Sequence, residues 1–503
     1  MKNTLILIII FQCYYCFSQN KHDSYWIIGQ GAEVNLNFNI EPVDISLKSV
    51  PNQFGFASSN ISMCDSNGEL LFYSNGCEVR DRLDNIMING DSINPGILEQ
   101  FYCSTGGFNS PISQGLLSLP MPGQPDKYYL FNQDLDIVSY PGISSTADPK
   151  RLYFSIVDMG LNGGLGEVVS KNNVIVEDSL ALARGQLTAV RHANGIDWWV
   201  ITPQALSNCY YLLLLTSQGI TDNKLICSGE EWNSSHGIGQ ATFSPDGTKY
   251  ARFNPWNGLH IFDFDRCKGE LSNGFSISFP EDTFGAAGLS ISPNSRFLYA
   301  AARTKLYQFD LQATDVANSR MLIDTLNLVN VPSFSAVFYL SQLAPDNKIY
   351  IAGISSHRFL HVINEPDSLG AACDFRQQAI EIPALNFASI PNFPNFDLGA
   401  LQEPCEPIVS TTEVMEKREL RQFQIYPNPS KDFISIKDES GILKGEVFDF
   451  VVYNITGKKV FVNKGVRDKD QIFITNLPSG SYFFQIIHNG KRIDEGKFIK
   501  IGN

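Results

Sequence analysis

The chain has 503 residues, 43% of them hydrophobic and 18% charged, and a formal net charge of −14. This composition excludes a wholly disordered chain, a coiled coil and a multi-span membrane protein, and the acidic balance argues against nucleic-acid binding. With 39 glycines, 25 prolines and 35 phenylalanines, the chain is rich in turn-forming and aromatic residues. An all-β fold is therefore predicted.

The first 18 residues have the layout of a signal peptide. Lys2 precedes an apolar run that begins at Leu5, and small and polar residues follow up to Ser18. The run of about a dozen residues is shorter than the roughly 20 that span a bilayer. We expect cleavage after Ser18 and export; a buried first strand is the alternative.

Ten cysteines occur, two of them in the predicted signal peptide. The remaining eight permit disulfides in an exported protein. The pairs that flank a hairpin-like segment are Cys64 with Cys77 and Cys209 with Cys227. Cys103 and Cys267 have no evident partner, so the sequence leaves the connectivity open.

A hairpin pattern, two apolar strands around a turn, recurs along the chain. Its six copies are 61–73, 116–131, 187–201, 241–250, 289–299 and 340–351. In the last three the turn centres on Pro245, Pro293 and Pro345, each followed by Asp or Asn, which favours a tight turn between adjacent strands. Four-stranded units every 40 to 60 residues are typical of a β-propeller.

A seventh unit would be shared between the two ends of the propeller, which we place at residues 19–401. The strand 25–29 could pair with strands in the range 384–401, closing the ring without a free edge. This count gives about seven blades, with six or eight still open. An open solenoid would need capping ends that the sequence does not show.

Motifs for catalysis and metal binding are absent from the sequence, so no catalytic residue, metal site or cofactor is predicted. The chain has no HExxH, no GxSxG and no CxxC after the signal peptide. His357 and His361 would suit a metal only on a helix, whereas their segment has a strand pattern. Trp232 and Trp256 lie in loops rich in Gly, Asn and Ser, where a ring can stack on a sugar or anchor a protein. We predict that these two tryptophans bind a ligand.

The C-terminal part differs in charge from the rest of the chain. Residues 424–503 contain 12 basic and 9 acidic residues, a net charge of +3, so the remainder carries −17. The polar stretch 402–423 lacks alternation and is interpreted as a linker. Short alternating runs separated by turns then predict a small β-sandwich.

Three motifs in this part carry a resemblance to a known family. The segments 425–429 (IYPNP), 452–460 (VYNITGKKV) and 476–482 (NLPSGSY) resemble the type A C-terminal sorting domain of type IX secretion substrates. The positions that carry the motif are Tyr426, Pro427, Asn428, Pro429, Gly457, Gly480 and Tyr482. The resemblance implies an immunoglobulin-like sandwich at 424–503, read by the type IX secretion machinery after periplasmic entry. It also implies a Bacteroidetes-type source and a secreted or cell-surface destination.

Residues 25–401 resemble the WD40-like repeats of exported Bacteroidetes propellers, which implies an architecture and an address rather than a ligand. We expect a non-enzymatic module that presents loops from a rigid ring to a protein or a glycan. The alternative is a glycan hydrolase or lyase with its active site at the central channel, because propellers host both kinds of function.

Overall fold

The computed structural model describes most of the chain after the predicted signal peptide. The described ranges are 20–48, 54–104, 109–140, 145–232, 239–254, 256–280, 287–327, 337–403, 405, 423–438, 443, 445–454, 458–488 and 491–502. The chain forms two compact units, one ending at Cys405 and one beginning after it. Both are built from β-strands, as predicted; the predicted signal peptide and most of the linker lie outside the described residues.

Within the described ranges the first unit contains seven antiparallel sheets of three or four strands, which we number as blades 1 to 7, and one two-stranded sheet. Blades 1 and 2 have three strands each: β1 (Tyr25–Ile28), β2 (Glu33–Asn37) and β3 (Asp44–Lys48), then β4 (Ile61–Cys64), β5 (Leu70–Ser74) and β6 (Val79–Asp81). Blade 3 contains β7 (Leu116–Pro120), β8 (Lys127–Gln133), β11 (Arg151–Asp158) and β12 (Glu167–Glu177), with the inserted pair β9 (Asp136–Val138) and β10 (Thr146–Asp148).

Blades 4 to 7 each have four strands in chain order. Blades 4 and 5 are β13 (Thr188–Arg191), β14 (Trp198–Pro203), β15 (Cys209–Thr216) and β16 (Gly219–Cys227), then β17 (Gln240–Phe243), β18 (Lys249–Asn254), β19 (Gly258–Asp265) and β20 (Glu270–Ile277). Blades 6 and 7 are β21 (Ala287–Ile291), β22 (Phe297–Ala302), β23 (Lys305–Asp310) and β24 (Met321–Thr325), then β25 (Phe338–Leu343), β26 (Ile349–Gly353), β27 (His357–Ile363) and β28 (Phe375–Asn386). Short helical turns occur at Glu99–Cys103, Asn162–Gly164, Ala317–Ser319 and Gly370–Cys373.

The predicted hairpins are confirmed, since each of the six repeats forms the first two strands of one blade. Their turns are held by side chains as expected. Asp246 Oδ1 accepts hydrogen bonds from the backbone N–H of Thr248 (2.9 Å) and from the Ser244 hydroxyl. Asn294 takes the same role in the next repeat, accepting from the Ser292 hydroxyl at 2.7 Å. First strands of most successive blades contact each other, so they line the propeller axis.

Between the blades the packing is apolar. In the gap between blades 4 and 5, Trp199 and Tyr210 of blade 4 are buried with Tyr250 and Phe262 of blade 5. The Tyr210 and Phe262 ring centroids are 5.6 Å apart. Aromatic rings of neighbouring blades therefore pack against each other in this gap.

The prediction that strand 25–29 pairs with strands in the range 384–401 to form a shared blade is wrong. Strand β1 pairs with β2 inside its own sheet, from Tyr25 opposite Asn37 to Ile28 opposite Val34. Among residues 384–401, only the first three belong to a strand, the end of β28. One backbone bond joins the two ends there, from the Gln30 N–H to the Leu385 carbonyl at 2.6 Å.

Three disulfides occur among the described cysteines: Cys77–Cys103, Cys209–Cys227 and Cys267–Cys405. Cys209 and Cys227 lie opposite each other on β15 and β16, so the hairpin predicted from their spacing is a bonded pair. Cys64 does not bond Cys77 but is free and buried, as is Cys373. The two cysteines without an evident partner both form long-range bonds.

The second unit is a small β-sandwich, as predicted. One sheet contains β29 (Phe423–Tyr426), β30 (Phe433–Asp438) and β33 (Gln471–Phe473). The other contains β31 (Phe448–Tyr453), β32 (Lys459–Val466), β34 (Gly480–His488) and β35 (Lys491–Lys500). Alternate residues of both sheets, including Phe450, Phe484 and Phe498, form its core.

Candidate functional site

The axis of the propeller is occupied by the chain itself. Residues 387–398, here called the axial segment, follow blade 7 and bond to the first strands of several blades. Ser389 accepts from Asn60 at the start of blade 2 (2.6 Å), and Asn392 donates to the carbonyls of Leu116 in blade 3 and Leu187 beside blade 4, both at 2.9 Å. Because these partners lie on different blades around the ring, the segment must run through its centre.

Further hydrogen bonds hold the axial segment to blades 7 and 5. Gln342 of blade 7 donates to the Phe393 carbonyl at 3.3 Å, and Asn395 donates to the Pro245 carbonyl in the turn of blade 5 at 2.8 Å. Aromatic contacts add to them. Phe396 lies 5.8 Å from Trp198 between ring centroids, and Phe393 and Phe396 are 7% and 2% exposed.

Polar side chains on or beside the first strands bond across the axis to other blades. Gln114 of blade 3 pairs with the backbone N–H and C=O of Ala241 in blade 5, at 2.8 and 2.7 Å. Gln240 accepts from the N–H of Ser341 in blade 7 and donates to its carbonyl. Buried amides that satisfy backbone groups of other blades tie the ring together while filling it.

The chain is also fixed where it leaves the axis. Arg266 donates to the Gly399 carbonyl at 2.6 Å, and the Leu401 N–H donates to Ala193 at 2.9 Å. Shortly after Leu401, the disulfide between Cys267 and Cys405 fixes the chain again. The axial segment is therefore anchored at both ends.

Sequence reasoning missed this segment, although a signal was present. The stretch 391–396 reads Pro-Asn-Phe twice. Proline lacks the N–H that an interior strand must donate, which argues against strand pairing for these residues. Two Asn-Phe pairs framed by prolines fit a buried extended segment that bonds through side chains.

One cavity, of about 240 Å³, lies where the axial segment meets the proline turns. Its lining includes Asp23, Pro245, Pro293, Pro345, Asn347, Asn395 and Asp397. Burial raises the pKa of Asp23 to about 7, and the nearby Asp397 carboxylate acts in the same direction. The Asp397 carboxylate accepts the backbone N–H of Asn20 at 2.5 Å. This channel-mouth cavity could hold a small polar ligand and has one carboxyl that exchanges its proton near neutral pH.

A larger cavity, of about 480 Å³, lies beside blades 1 and 2 and is here called the side cavity. Its lining includes Gln30, Phe54, Phe56, Asn75, Glu78, Arg80, Asn109, Phe387 and the Cys77–Cys103 disulfide. Arg80 Nε donates to Glu78 Oε1 at 2.6 Å, and its guanidinium carbon lies 4.6 Å from the Phe54 ring centroid. The volume falls in the usual range of ligand sites, and aromatic walls with a few polar groups are their usual lining.

The two tryptophans predicted to bind a ligand differ in their exposure to solvent. Trp232 is only 4% exposed, and the guanidinium carbon of Arg252 lies 3.3 Å from its ring centroid. Trp256 is 47% exposed, in the turn between β18 and β19. Ligand binding by either residue stays a prediction, and Arg252 is the neighbour that the loop composition did not reveal.

The sorting-motif residues lie at the start of the sandwich and in its last strands. Tyr426, Pro427, Asn428 and Pro429 are exposed at the end of β29, and Asn428 Oδ1 accepts the Ile499 N–H at 2.9 Å. Both prolines follow cis peptide bonds. Gly480 begins β34, and Tyr482 is buried, its hydroxyl donating to the Pro478 carbonyl at 2.7 Å. Gly457 lies outside the described residues.

The described residues contain no group of three or more His, Cys, Asp or Glu side chains placed to hold a metal ion. His357 and His361 lie on strand β27, as the pattern predicted, and both are buried. Within the same ranges, no helix is long and apolar enough to cross a membrane.

Residues 424–500 match the family described as the secretion system C-terminal sorting domain. The second unit is a type IX secretion sorting domain. The protein is thus exported across the outer membrane, to be secreted or held at the cell surface, and the sorting domain implies an interaction with the type IX secretion machinery. This confirms the predicted destination and implies a Bacteroidetes origin.

The search for related curated proteins found no significant match. Solved structures that resemble the chain include the β-propeller domain of Cps50 (Swd1) from Myceliophteria thermophila, at 12% identity, over 67% of this chain and 92% of that one, with a TM-score of 0.36. The periplasmic gluconolactonase PpgL of Pseudomonas aeruginosa has 11% identity over 89% and 98% of the two chains and a TM-score of 0.35. XC5397 of Xanthomonas campestris, a gluconolactonase, has 11% identity over 66% and 92% and a TM-score of 0.31. Likeness at this level does not transfer an activity.

Proposed function

We propose that this exported propeller is a non-enzymatic binding module that holds its ligand away from the ring axis. The observation that supports this is the axial segment, which occupies much of the ring axis and leaves at its mouth a cavity of about 240 Å³, half the volume of the side cavity. The ring then serves as a rigid scaffold, and the sorting domain delivers it to the cell surface or the medium.

A ligand that passed beyond the channel-mouth cavity would first have to displace the axial segment. That would break the two bonds of Asn392 and those of Ser389 and Asn395, each worth about 1 kcal/mol net, and would expose two buried phenylalanines. Exposing a buried phenylalanine side chain costs about 1.5–3 kcal/mol by itself. The total, roughly 7–10 kcal/mol, is about the whole binding free energy of a micromolar ligand, so displacing the segment would leave such a ligand little net affinity.

The side cavity is the binding site that we favour, and a glycan is the ligand class. Phe54 and Phe387 supply aromatic surface, while the Glu78–Arg80 pair and the amide of Gln30 supply donors and acceptors for hydroxyl groups. Such a mixed lining suits a sugar, which has apolar faces and polar edges. A protein ligand remains an outcome of the test.

The test uses the secreted full-length protein and a panel of host and microbial polysaccharides, with retention and released products read in one assay. We expect retention without product. Glu78→Gln should weaken retention about tenfold, because a charge-assisted bond to a hydroxyl is lost. The control, Glu177→Gln, alters an exposed ion pair with Arg151 far from the cavity and should leave retention unchanged.

Other outcomes would contradict the proposal in distinct ways. If Trp256→Ala abolishes retention and Glu78→Gln does not, the ligand binds at the loop predicted from sequence. If products are released, the protein is an enzyme, and loss of release in Asp23→Asn would assign catalysis to the channel-mouth cavity. Retention of no polysaccharide would exclude the proposed glycan class.

A further inference from the structure

Two of the residues that line the channel-mouth cavity have buried hydroxyl groups without a hydrogen-bond partner. Ser290 on β21 and Ser341 on β25 belong to neighbouring first strands, those of blades 6 and 7, and are 3% and 2% exposed. Neither hydroxyl oxygen has a hydrogen-bond partner. Because buried polar groups are nearly always bonded, two such hydroxyls in one cavity wall point to a ligand that bonds to them.

Five amide side chains in the same wall are already committed to the protein. Gln240 Oε1, for example, accepts the backbone N–H groups of Leu289 and Ser341, at 2.9 and 3.0 Å. Asn395 donates to the Pro245 carbonyl at 2.8 Å and accepts a backbone N–H at 2.9 Å. The amides bonded to backbone groups in this way are Gln114, Gln240, Gln342, Asn392 and Asn395. A ligand would therefore be recognised by the serine hydroxyls and by the carboxyl groups of the wall.

The charges in the wall have one sign. Asp23 and Asp397 both line the cavity, and no Lys, Arg or His is among its described lining residues. Burial and the Asp397 carboxylate raise the pKa of Asp23 to about 7, and no described basic group lowers it. Arg191 acts on Asp397 from outside the wall, but its guanidinium carbon lies 3.8 Å from the Trp198 ring centroid and its Nη1 donates to the Ile196 carbonyl. The wall therefore favours a cation over an anion.

The carboxyls and the hydroxyls lie at different depths. Asp397 is exposed and Asp23 is half-buried, whereas the two serines are buried. Phe243 and Phe393 add apolar surface to the same wall. A volume of about 240 Å³ is below the range of roughly 300–1,000 Å³ that is usual for drug-sized ligands. The cavity thus suits a small molecule that is charged at its outer end and hydrogen-bonds at its inner end.

We propose that the channel-mouth cavity binds a small organic cation with a primary ammonium group at one end and a hydroxyl group at the other. The ammonium lies against the Asp23 and Asp397 carboxyls. The hydroxyl bonds to Ser290 and Ser341, which gives both side chains a hydrogen-bond partner. This site is separate from the side cavity, so it stands or falls independently of the proposed glycan binding.

Calorimetric titration of the full-length protein with 5-aminopentan-1-ol tests the proposal. Pentane-1,5-diol replaces the ammonium by a neutral group, 5-hydroxypentanoate replaces it by an anion, and pentylamine lacks the hydroxyl. We expect one saturable site for the amino alcohol, about tenfold weaker binding of the diol, about fivefold weaker binding of pentylamine and none of the anion. Equal binding of the amino alcohol and the diol, or binding of neither, would overturn the proposal. Tighter binding of calcium than of the amino alcohol would assign the carboxyls to a metal ion instead.

Variants separate the two ends of the site. Asp397→Asn should weaken binding of both amines about tenfold and leave the diol unchanged, because only the ammonium meets the carboxylate. Ser341→Ala should weaken binding of the amino alcohol about fivefold without lowering the stability of the free protein, in which this hydroxyl has no bond. The matched control Ser118→Ala, on the first strand of blade 3, breaks a bond to the Tyr129 carbonyl and should do the reverse. Full affinity in both Asp397→Asn and Ser341→Ala would place the bound amine elsewhere and overturn the proposal.

The affinity for the amino alcohol should also rise with pH. Near pH 7 about half of Asp23 is protonated, and a cation is attracted to the ionised form, so the dissociation constant should fall between about pH 6 and 8. The other groups that act on this site are Asp397, Arg191 and His22, a ring kept neutral because burial lowers its pKa. Asp23→Asn should remove the dependence. An affinity that stays constant over this range in the unchanged protein would contradict the role of Asp23.

Discussion

The axis of the propeller and the gaps between its blades are both buried, but the axis adds buried amide hydrogen bonds to the aromatic packing that the gaps rely on. Along the axis, Gln114, Gln240 and Asn392 satisfy backbone groups of distant strands. In the gaps, residues such as Tyr210 and Phe262 pack ring against ring. Apolar packing tolerates exchanges of similar volume, whereas each axial amide has partners of fixed position and chemistry. The axis therefore specifies how the ring closes, and the gaps supply most of the burial.

The largest expected effect comes from removing an aromatic anchor of the axial segment. Phe396→Ala should lower the free energy of unfolding by about 3–5 kcal/mol, because the side chain is buried against Trp198 and His22. Hydrogen exchange should increase in several blades at once. In the matched gap variant, Phe262→Ala, a similar loss should be accompanied by faster exchange in blades 4 and 5 alone; equal patterns would remove the distinction between axis and gap.

Asn392→Leu should cost about 3 kcal/mol in urea unfolding. The change leaves the Leu116 and Leu187 carbonyls and the Gln114 amide without their partner, and buried groups left unpaired cost about 1–3 kcal/mol each. The same substitution at the exposed Asn223 should change stability by less than about 0.5 kcal/mol. An unchanged unfolding midpoint in Asn392→Leu would show that the axial amides do not contribute to stability.

Removing the disulfide between Cys267 and Cys405 should have a smaller effect on stability. The double variant Cys267→Ser/Cys405→Ser opens a bond with a sequence separation of 138, for which chain entropy alone would predict a large loss. We expect about 2 kcal/mol, because the axial segment already holds this part of the chain in place. Limited proteolysis should cut near Gly399 faster in the variant. Unfolding of the whole propeller would instead show that the axial segment depends on the disulfide.

The smallest expected effect is on the pH dependence of stability, to which one buried carboxyl in blade 1 and one at the channel mouth contribute. Burial raises the pKa of Glu33 in blade 1 and of Asp23 at the channel mouth, each to about 7. The folded state thus binds protons that the unfolded state has released, so stability falls as pH rises from about 4.5 to 7. Glu33→Gln should reduce this fall by about 1 kcal/mol, measured as unfolding midpoints from pH 5 to 8.

Asp23→Asn should reduce this pH-dependent loss of stability by a similar amount, and the double variant Asp23→Asn/Glu33→Gln should reduce it further. The control Glu177→Gln, in an exposed ion pair, should keep the full slope. A slope that increases in Glu33→Gln would contradict the raised pKa. A change in Asp23→Asn alone would place the pH response at the channel mouth.

Features that depend on neighbouring residues were predictable. The six hairpins follow from alternation and, in the last three, from Pro-Asp or Pro-Asn turns, since a turn needs only a few consecutive residues. The sorting domain follows from three short motifs in order. Trp232 shows the limit, because a loop rich in Gly, Asn and Ser indicates exposure, while the side chain lies under Arg252, twenty positions along the chain.

The sequence by itself determined the class of fold, the presence of a sorting domain and the export of the protein, because these rest on local patterns. Only the tertiary structure decided that residues 387–398 run through the axis, that Cys267 bonds Cys405 and that Arg252 lies over the Trp232 ring. Each of these joins residues far apart in the chain, and no periodicity or spacing encodes which of many polar or sulfur groups will meet. The physical reason is that ring closure fixes such contacts last, through the combined geometry of all the blades.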